Sequence, residues 1–330
     1  MLILTPIHFR RLTAWKLENE FLSLIVVPKR GGKIVSLRSK QYGKEWLYNS
    51  ESHHSLLRCP IAGESFVEHY DTGGWDECFP SICKENYPCD TKASILIADH
   101  GVLWSQSWYV VNIYCSDDRV GLTLECINDT LAIKFLRSIW LDKGKHQFKL
   151  DYQIINLSQH FRPFIWSAHP IFSAESDMKI KFISGINTLK TDIGFQSFYQ
   201  QNAKWVNTQK SPSNIELEDV FSPSTLNVGL ASKLYSPPLN HSTQLIQVAL
   251  YSTKFNEQLK LEFSSEQISH FGLWLNYQGW SGNHQLPPNV IGLEPCIGGS
   301  DSLSEAMALG EVGGLSPSSS QYWSLSISIT

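Results

Sequence analysis

The stretch "FKLDYQIIN", residues 148–156, sets Phe148, Leu150, Tyr152 and Ile154 against Lys149, Asp151 and Gln153 in strict alternation. Successive side chains of a strand point to opposite faces, so the pattern reads as a β-strand with one buried and one wet face. The same alternation, or the same enrichment in β-branched and aromatic residues, recurs along the chain. It is seen in "FLSLIVVP" (21–28), "KIVSLRSK" (33–40), "WYVVNIYC" (108–115), "VGLTLECIN" (120–128), "KIKFIS" (179–184), "LIQVALYS" (245–252), "LKLEFSS" (259–265) and "YWSLSISI" (322–329). Each run is short and bounded by Gly, Pro, Asn, Asp or Ser. Amphipathic helices are nearly absent; "SLSEAMALGE" (302–311) is the best candidate, a turn or two ending near Gly310. The chain is therefore predicted to be all-β, a large antiparallel β-sandwich with few short helices.

At 330 residues the chain is long for one ordinary domain, but all-β domains run past roughly 250 residues as single units. No repeat of fixed period points to a propeller or solenoid. The nearest thing to a linker, "SPSNIELEDVFSPS" (211–224), has strands on both sides. One domain over 1–330 is the expectation. With 42% hydrophobic residues there is material for a large core without disulfide staples.

A net charge of −4 and the lack of any basic stripe make nucleic acid and anionic membrane poor partners. In "MLILTPIHFRRLTAW" the arginines follow the apolar run, the reverse of a secretory signal, and no later run approaches the length of a membrane span. Seven cysteines are present, and Cys78, Cys83 and Cys89 follow C-x4-C-x5-C, without the tight pairs of structural zinc sites. They read as reduced and mostly core-filling, and no metal is expected. A soluble cytoplasmic protein is the default expectation.

Long loops carry the residues with chemistry, as expected on a β scaffold. They include "ESFVEHYDTGGWDECFP" (64–80) and "NYQGWSGNHQLPPN" (276–289). In "FIWSAHPIF" (164–172) a single ionisable residue, His169, stands in an aromatic run, with Pro170 pressing it toward extended backbone. Read alone, it is equally a core histidine bonded to a carbonyl. Glu294 in "VIGLEPC" is a carboxylate in an apolar strand-like run. It is either an exposed edge residue or a desolvated group with its pKa raised toward the range of a general base. His100 in "ADHGVLW" tops a turn, where a plain surface histidine is the simpler reading. In "TGGWDECFP" (72–80), Trp75 beside Asp76 and Glu77 suits a sugar, the indole on its C–H face and the carboxylates on its hydroxyls. A tryptophan lid over the core, with solvated acids, suits that stretch as well. The 11 tryptophans agree with either.

Taken together, these elements resemble the aldose 1-epimerase (galactose mutarotase-like) superfamily. The matching stretches are "FLSLIVVPKRGGKIVSL", "DHGVLW" (99–104), "FLRSIWL" (135–141), "DYQIINLSQHFRPFIWSAHPIF" (151–172) and "IGLEPCIGGSDSL" (291–303), which span nearly the whole chain. The resemblance implies a β-supersandwich with an open cleft, and an isomerase that interconverts the α and β anomers of a hexose or related sugar. It implies Glu294 as the general base at the C1 hydroxyl, His169 as the general acid at the ring oxygen, and His100 as a further hydrogen-bonding histidine. Glu294 and His169 are expected to be charged together, each sustaining the other. Neither metal nor nucleotide cofactor is needed, and the partner is a small-molecule sugar bound to a monomer or weak homodimer.

The chain departs from the family where "GGWDECFP" lacks the usual sugar-binding arginine. Trp75, Asp76 and Glu77 are expected to take over its contacts, with Trp274 of "GLWLNY" lining the cleft and Arg58 or Arg137 as possible replacement cations. A neutral sugar then fits better than a phosphorylated one. Two rival readings remain: a non-catalytic sugar-binding protein, and a glycoside-cleaving enzyme pairing Glu294 with Asp76 or Glu77.

Overall fold

Strands cannot leave their backbone groups unpaired, and the computed structural model resolves this chain into two large antiparallel sheets. It describes residues 1–49, 56–88, 94–191, 215–216, 230–239, 244–281 and 288–330. "SPSNIELEDVFSPS" lies outside these apart from 215–216, as does Cys89. Among the described residues the larger sheet has 11 strands. It runs from Ile3–Phe9 through Leu12–Glu18, Leu22–Val27, Lys33–Ser39, Gly74–Cys78, Trp166–Ser173, Asn289–Ile297, His270–Tyr277, Leu230–Tyr235 and Thr188–Thr191 to Ile215–Glu216. The second sheet has 8, in the order Met178–Ser184, Leu245–Ser252, Glu257–Ser264, Ser320–Ile329, Gln147–Asn156, Ile133–Asp142, Arg119–Asn128 and Tyr109–Cys115.

The two sheets bury their facing sides against each other. Phe148, Leu150, Tyr152 and Ile154 are all buried, as their alternation requires, and they join one core cluster with residues of the larger sheet such as Trp75, Trp166 and Leu293. Phe135 is its hub, with ring centroids of Trp108, Tyr152, Trp323 and Phe79 within 5.5–6.3 Å. A polar knot lies inside this aromatic core. Arg137 Nη1 donates to Glu77 Oε1 at 2.9 Å, Tyr152 donates to the same oxygen at 2.9 Å, and Trp166 Nε1 donates to Oε2 at 3.0 Å. A buried carboxylate is tolerable only with such partners.

The predicted helix is present as Leu303–Leu309. Ser302 Oγ accepts from the Glu305 N–H, and Gly310 closes the helix in the left-handed region at φ 71°. The stretch 64–80 departs from its reading as a loop. It contains a short helix, Phe66–His69, and the buried strand Gly74–Cys78. "GWDEC" hides its strand character because acids interrupt the apolar alternation, and those acids are satisfied only by distant residues. Among the described residues no helix is long and apolar enough to cross a membrane.

Truncating the hub should be costly. Phe135→Ala is expected to lower unfolding free energy by about 3–5 kcal/mol, the range for large aromatic deletions in a packed core. Urea denaturation followed by tryptophan fluorescence measures this; a loss below about 1 kcal/mol would mean the ring is not the centre of the core.

Candidate active site

Register places the chemistry. His169 pairs with Asp76 on one side. On the other, the pairs Ser167↔Cys296 and Ile171↔Gly292 bracket Glu294 and set it abreast of His169. Glu294 in turn pairs with Gly272, and Gly272 with Tyr235. Residues directly opposite in neighbouring strands share a face, so Asp76, His169, Glu294, Gly272 and Tyr235 form a row across the outer side of the large sheet. Gly272 is a gap in that row, across which Lys233 reaches Glu294. A Cβ there would stand 3.3 Å from Glu294 Cβ and 3.4 Å from Tyr235 Cε1. At Gly292 a Cβ would come within 2.8 Å of Glu294 Oε1.

Glu294 is fully buried, and its two oxygens differ. Oε2 accepts from Lys233 Nζ and, at 3.2 Å, from Ser167 Oγ. Oε1 has no hydrogen-bond partner and lies 4.0 Å from His169 Nε2. Lys233 also stands 3.6 Å from Asp301 Oδ1, which accepts from the Tyr235 hydroxyl at 2.6 Å. Burial raises the Glu294 pKa, Lys233 opposes that and Asp301 adds to it. Burial works against the charge on Lys233, but Glu294 and Asp301 outweigh it and push its pKa up. Burial first, then the field of the neighbouring His100, Lys233 and Lys33, holds His169 well below the usual imidazole range. The expected charged pair of Glu294 and His169 is therefore corrected in its cation: the group in contact with Glu294 is Lys233, and burial disfavours the charged form of His169.

His100 comes from the turn after Leu96–Ile97. Its own φ is 61°, and Gly101 follows at φ 81°, where a Cβ would fall 1.9 Å from the Phe79 carbonyl oxygen. Only glycine allows this approach, and it seats the His100 ring edge-on to His169 at 5.1 Å and beside Phe66 at 4.8 Å. Asp99 Oδ2 lies 3.5 Å from His100 Nδ1. These groups line a cleft of about 270 Å³, with Trp274 and Trp280 meeting edge to face at 5.9 Å on its wall.

His100, His169, Glu294 and Trp274 are thus brought together, while the other sequence candidates lie elsewhere. Trp75 is completely buried between the sheets against Phe148, and Glu77 belongs to the core knot with Arg137. Both fall one residue out of phase with His169 and so face inward, which removes them from sugar binding. Asp76 is on the cleft side but is buried and held 2.8 Å from Lys33 Nζ, outside the cleft lining. Arg58 pairs with Glu64 at 2.8 Å toward solvent, so neither arginine replaces the missing cation. Sequence reading missed Lys233, Asp301 as its partner, and Trp280. The one available signal was Lys233 within "LASKLY", a lysine breaking a strand-like run as Glu294 does.

No protein-family model matches the sequence, and a search of curated proteins finds no match. Solved structures do match. A protein of Synechocystis sp. PCC 6803 aligns over 98% of both chains at 18% identity and a TM-score of 0.67. A galactose mutarotase-like protein of Clostridium acetobutylicum aligns over 100% of this chain and 98% of its own, at 14% identity and a TM-score of 0.68. A galactose mutarotase-like protein of Lactobacillus casei aligns over 96% and 100%, at 16% identity and a TM-score of 0.61. The fold is the galactose mutarotase-like sandwich. In this mutarotase-like fold the larger sheet carries the cleft and the smaller one backs it.

Removing the cation isolates its contribution. Lys233→Met leaves Glu294 and Asp301 as buried carboxylates without a counter-charge and is expected to cost about 3–5 kcal/mol of stability. Adding Glu294→Gln to that variant should recover about 0.5–3 kcal/mol, the coupling of groups in contact. Additive losses in urea titrations of the single and double variants would mean the two do not interact.

Proposed function

We propose that the protein is an aldose 1-epimerase-like isomerase that opens and recloses the ring of a sugar with a free anomeric centre. The observation that carries the reading is the unpartnered Glu294 Oε1, 4.0 Å from His169 Nε2 on the floor of an aromatic-walled cleft. Ring opening needs a proton taken from the O1 hydroxyl and one delivered to the ring oxygen, O5. A pair of proton-exchanging groups this close can serve both sites of one pyranose.

Lys233 and Ser167 engage Oε2, so the ionised carboxylate presents Oε1 to the sugar. His169 acts as a neutral imidazole, a donor whose N–H polarises oxygen without an imidazolium having to form in a dry site. As O1 loses its proton to Glu294, the C1–O5 bond breaks and His169 passes its N–H proton to O5. The carboxyl proton then passes to the imidazolate left on His169, so the pair ends unchanged and the net movement is one proton from O1 to O5. Rotation about C1–C2 and reclosure by the reverse steps deliver the other anomer. Trp274 and Trp280 offer apolar faces for the C–H surface of the ring. The cleft volume lies at the small end of ligand pockets, roughly 300–1,000 Å³, which favours a single sugar unit over a polymer.

The glycosidase reading loses support because Asp76 and Glu77, its second-carboxylate candidates, stand outside the cleft. Among the described lining residues the lysine is engaged by two carboxylates, which favours a neutral sugar over a phosphorylated one.

Anomer exchange measured by NMR on glucose, galactose, mannose, rhamnose, fucose and glucose 6-phosphate tests the proposal. Exchange of a neutral sugar should be accelerated and should fall about 10²–10⁴-fold in Glu294→Gln with sugar binding retained. His169→Asn should lose most of the rate and His100→Asn less. Sugar binding without acceleration in the wild type would make this a binding protein instead.

A further inference from the structure

The sequence carries no tight metal-ligand spacing, but the fold assembles a ligand set from three distant segments. Cys78 on the strand Gly74–Cys78, His169 on the adjacent strand Trp166–Ser173 and His100 on its pinned turn each offer one donor atom, all within 4.8 Å of one another. Cys78 is 1% exposed and His169 8%. The Nδ1 atoms of both histidines are buried without a hydrogen-bond partner. Each imidazole also has a carboxylate near one nitrogen: Asp99 at 3.5 Å from His100 Nδ1 and Glu294 at 4.0 Å from His169 Nε2. Metal-binding histidines are usually backed in this way, with one nitrogen facing a carboxylate and the other facing the ion.

We propose that Cys78, His100 and His169 form a three-ligand site for a soft divalent cation, zinc above all, and that the bound ion blocks the cleft. With Asp99 beside its Nδ1, His100 offers Nε2, and His169 offers the buried Nδ1 that has no hydrogen-bond partner. Two imidazoles and a thiolate select zinc or cobalt over magnesium or calcium, which take oxygen ligands. Zinc–ligand bonds of about 2.0–2.3 Å place tetrahedral donors roughly 3.5 Å apart. The three side chains therefore close by at most about an ångström or so, which small rotations of two imidazoles supply. The fourth position faces the cleft and takes water. Binding converts the Cys78 thiol to a thiolate ligand and releases its proton to solvent. Coordination through Nδ1 leaves the Nε2–H of His169 in place but ties the ring to the ion, so it cannot turn to follow the ring oxygen of a sugar, and zinc is an inhibitor of the proposed isomerase and not its cofactor.

Cobalt(II) is the probe, added to the full chain after dialysis against a chelator. One equivalent should bind and produce the ultraviolet thiolate-to-cobalt charge-transfer band, and one equivalent of zinc should abolish it. Cys78→Ser should lose the band. His100→Gln, on a turn at the cleft edge, should weaken cobalt binding at least about 10–100-fold, the loss produced even by changes outside the ligand set. It decides the matter should Cys78→Ser fail to fold. A band that survives in Cys78→Ser, or unchanged affinity in His100→Gln, would place the ion elsewhere and overturn the proposal. Zinc should also suppress anomer exchange in the wild type and not in Cys78→Ser. That last measurement rests on the isomerase reading; the cobalt titration does not, so the two can fail separately.

Discussion

The ion pair between Glu294 and Lys233 governs this structure, because it puts a fully buried carboxylate on a central strand of an 11-stranded sheet. A charge there is affordable only with a cation in contact and its remaining lone pairs aimed at donors. The neighbouring strand His270–Tyr277 supplies no side chain at the contact point, since position 272 is glycine. Lys233, one strand further out, crosses that gap. The glycine, the lysine, Ser167 and the Asp301–Tyr235 contact form one arrangement, and each follows from the need to hold a single carboxylate oxygen.

Holding one oxygen leaves the other available. Oε1 lies 4.0 Å from His169 Nε2 and has no hydrogen bond of its own. The same desolvation that makes Glu294 costly raises its affinity for a proton, and the lysine beside Oε2 opposes that rise. Burial also disfavours an imidazolium at His169, next to a lysine and a second histidine. The site thus sets a buried lysine, a carboxylate and an imidazole side by side, with burial working against the charge on His169, a different charge plan from a carboxylate–imidazolium pair.

The second buried carboxylate shows how strand phase assigns roles. Glu77 and Asp76 are adjacent in sequence, yet Glu77 faces the inter-sheet core and Asp76 the cleft side. Burial pushes Glu77 up to about 7 despite Arg137, Tyr152 and Trp166. Its bonds join the two sheets at their aromatic centre, since Arg137 and Tyr152 belong to the smaller sheet and Glu77 and Trp166 to the larger. One acid knots the layers together and another, Glu294, two strands away, lines the cleft.

By itself the sequence determined the fold class, because period-two alternation in runs such as "FKLDYQIIN" has only one way to bury its apolar face. It also determined which polar residues were out of place: His169 and Glu294 interrupt apolar runs, and a burial penalty is local enough to be seen in a short window. The turn at His100 was legible because the glycine after it permits a tight bend, but only the family resemblance marked the histidine as a site residue. Only the tertiary structure decided the roles of Trp75, Glu77 and Arg137, since strand phase relative to a sheet is set by partners dozens of residues away. Lys233 stayed hidden for the same reason. Its partner is 61 residues distant in sequence, and nothing local to "LASKLY" says that the next strand lacks a side chain where the lysine must cross. Charge state, too, belongs to the assembled site, because desolvation and opposing charge act through space and are absent until the sheets close.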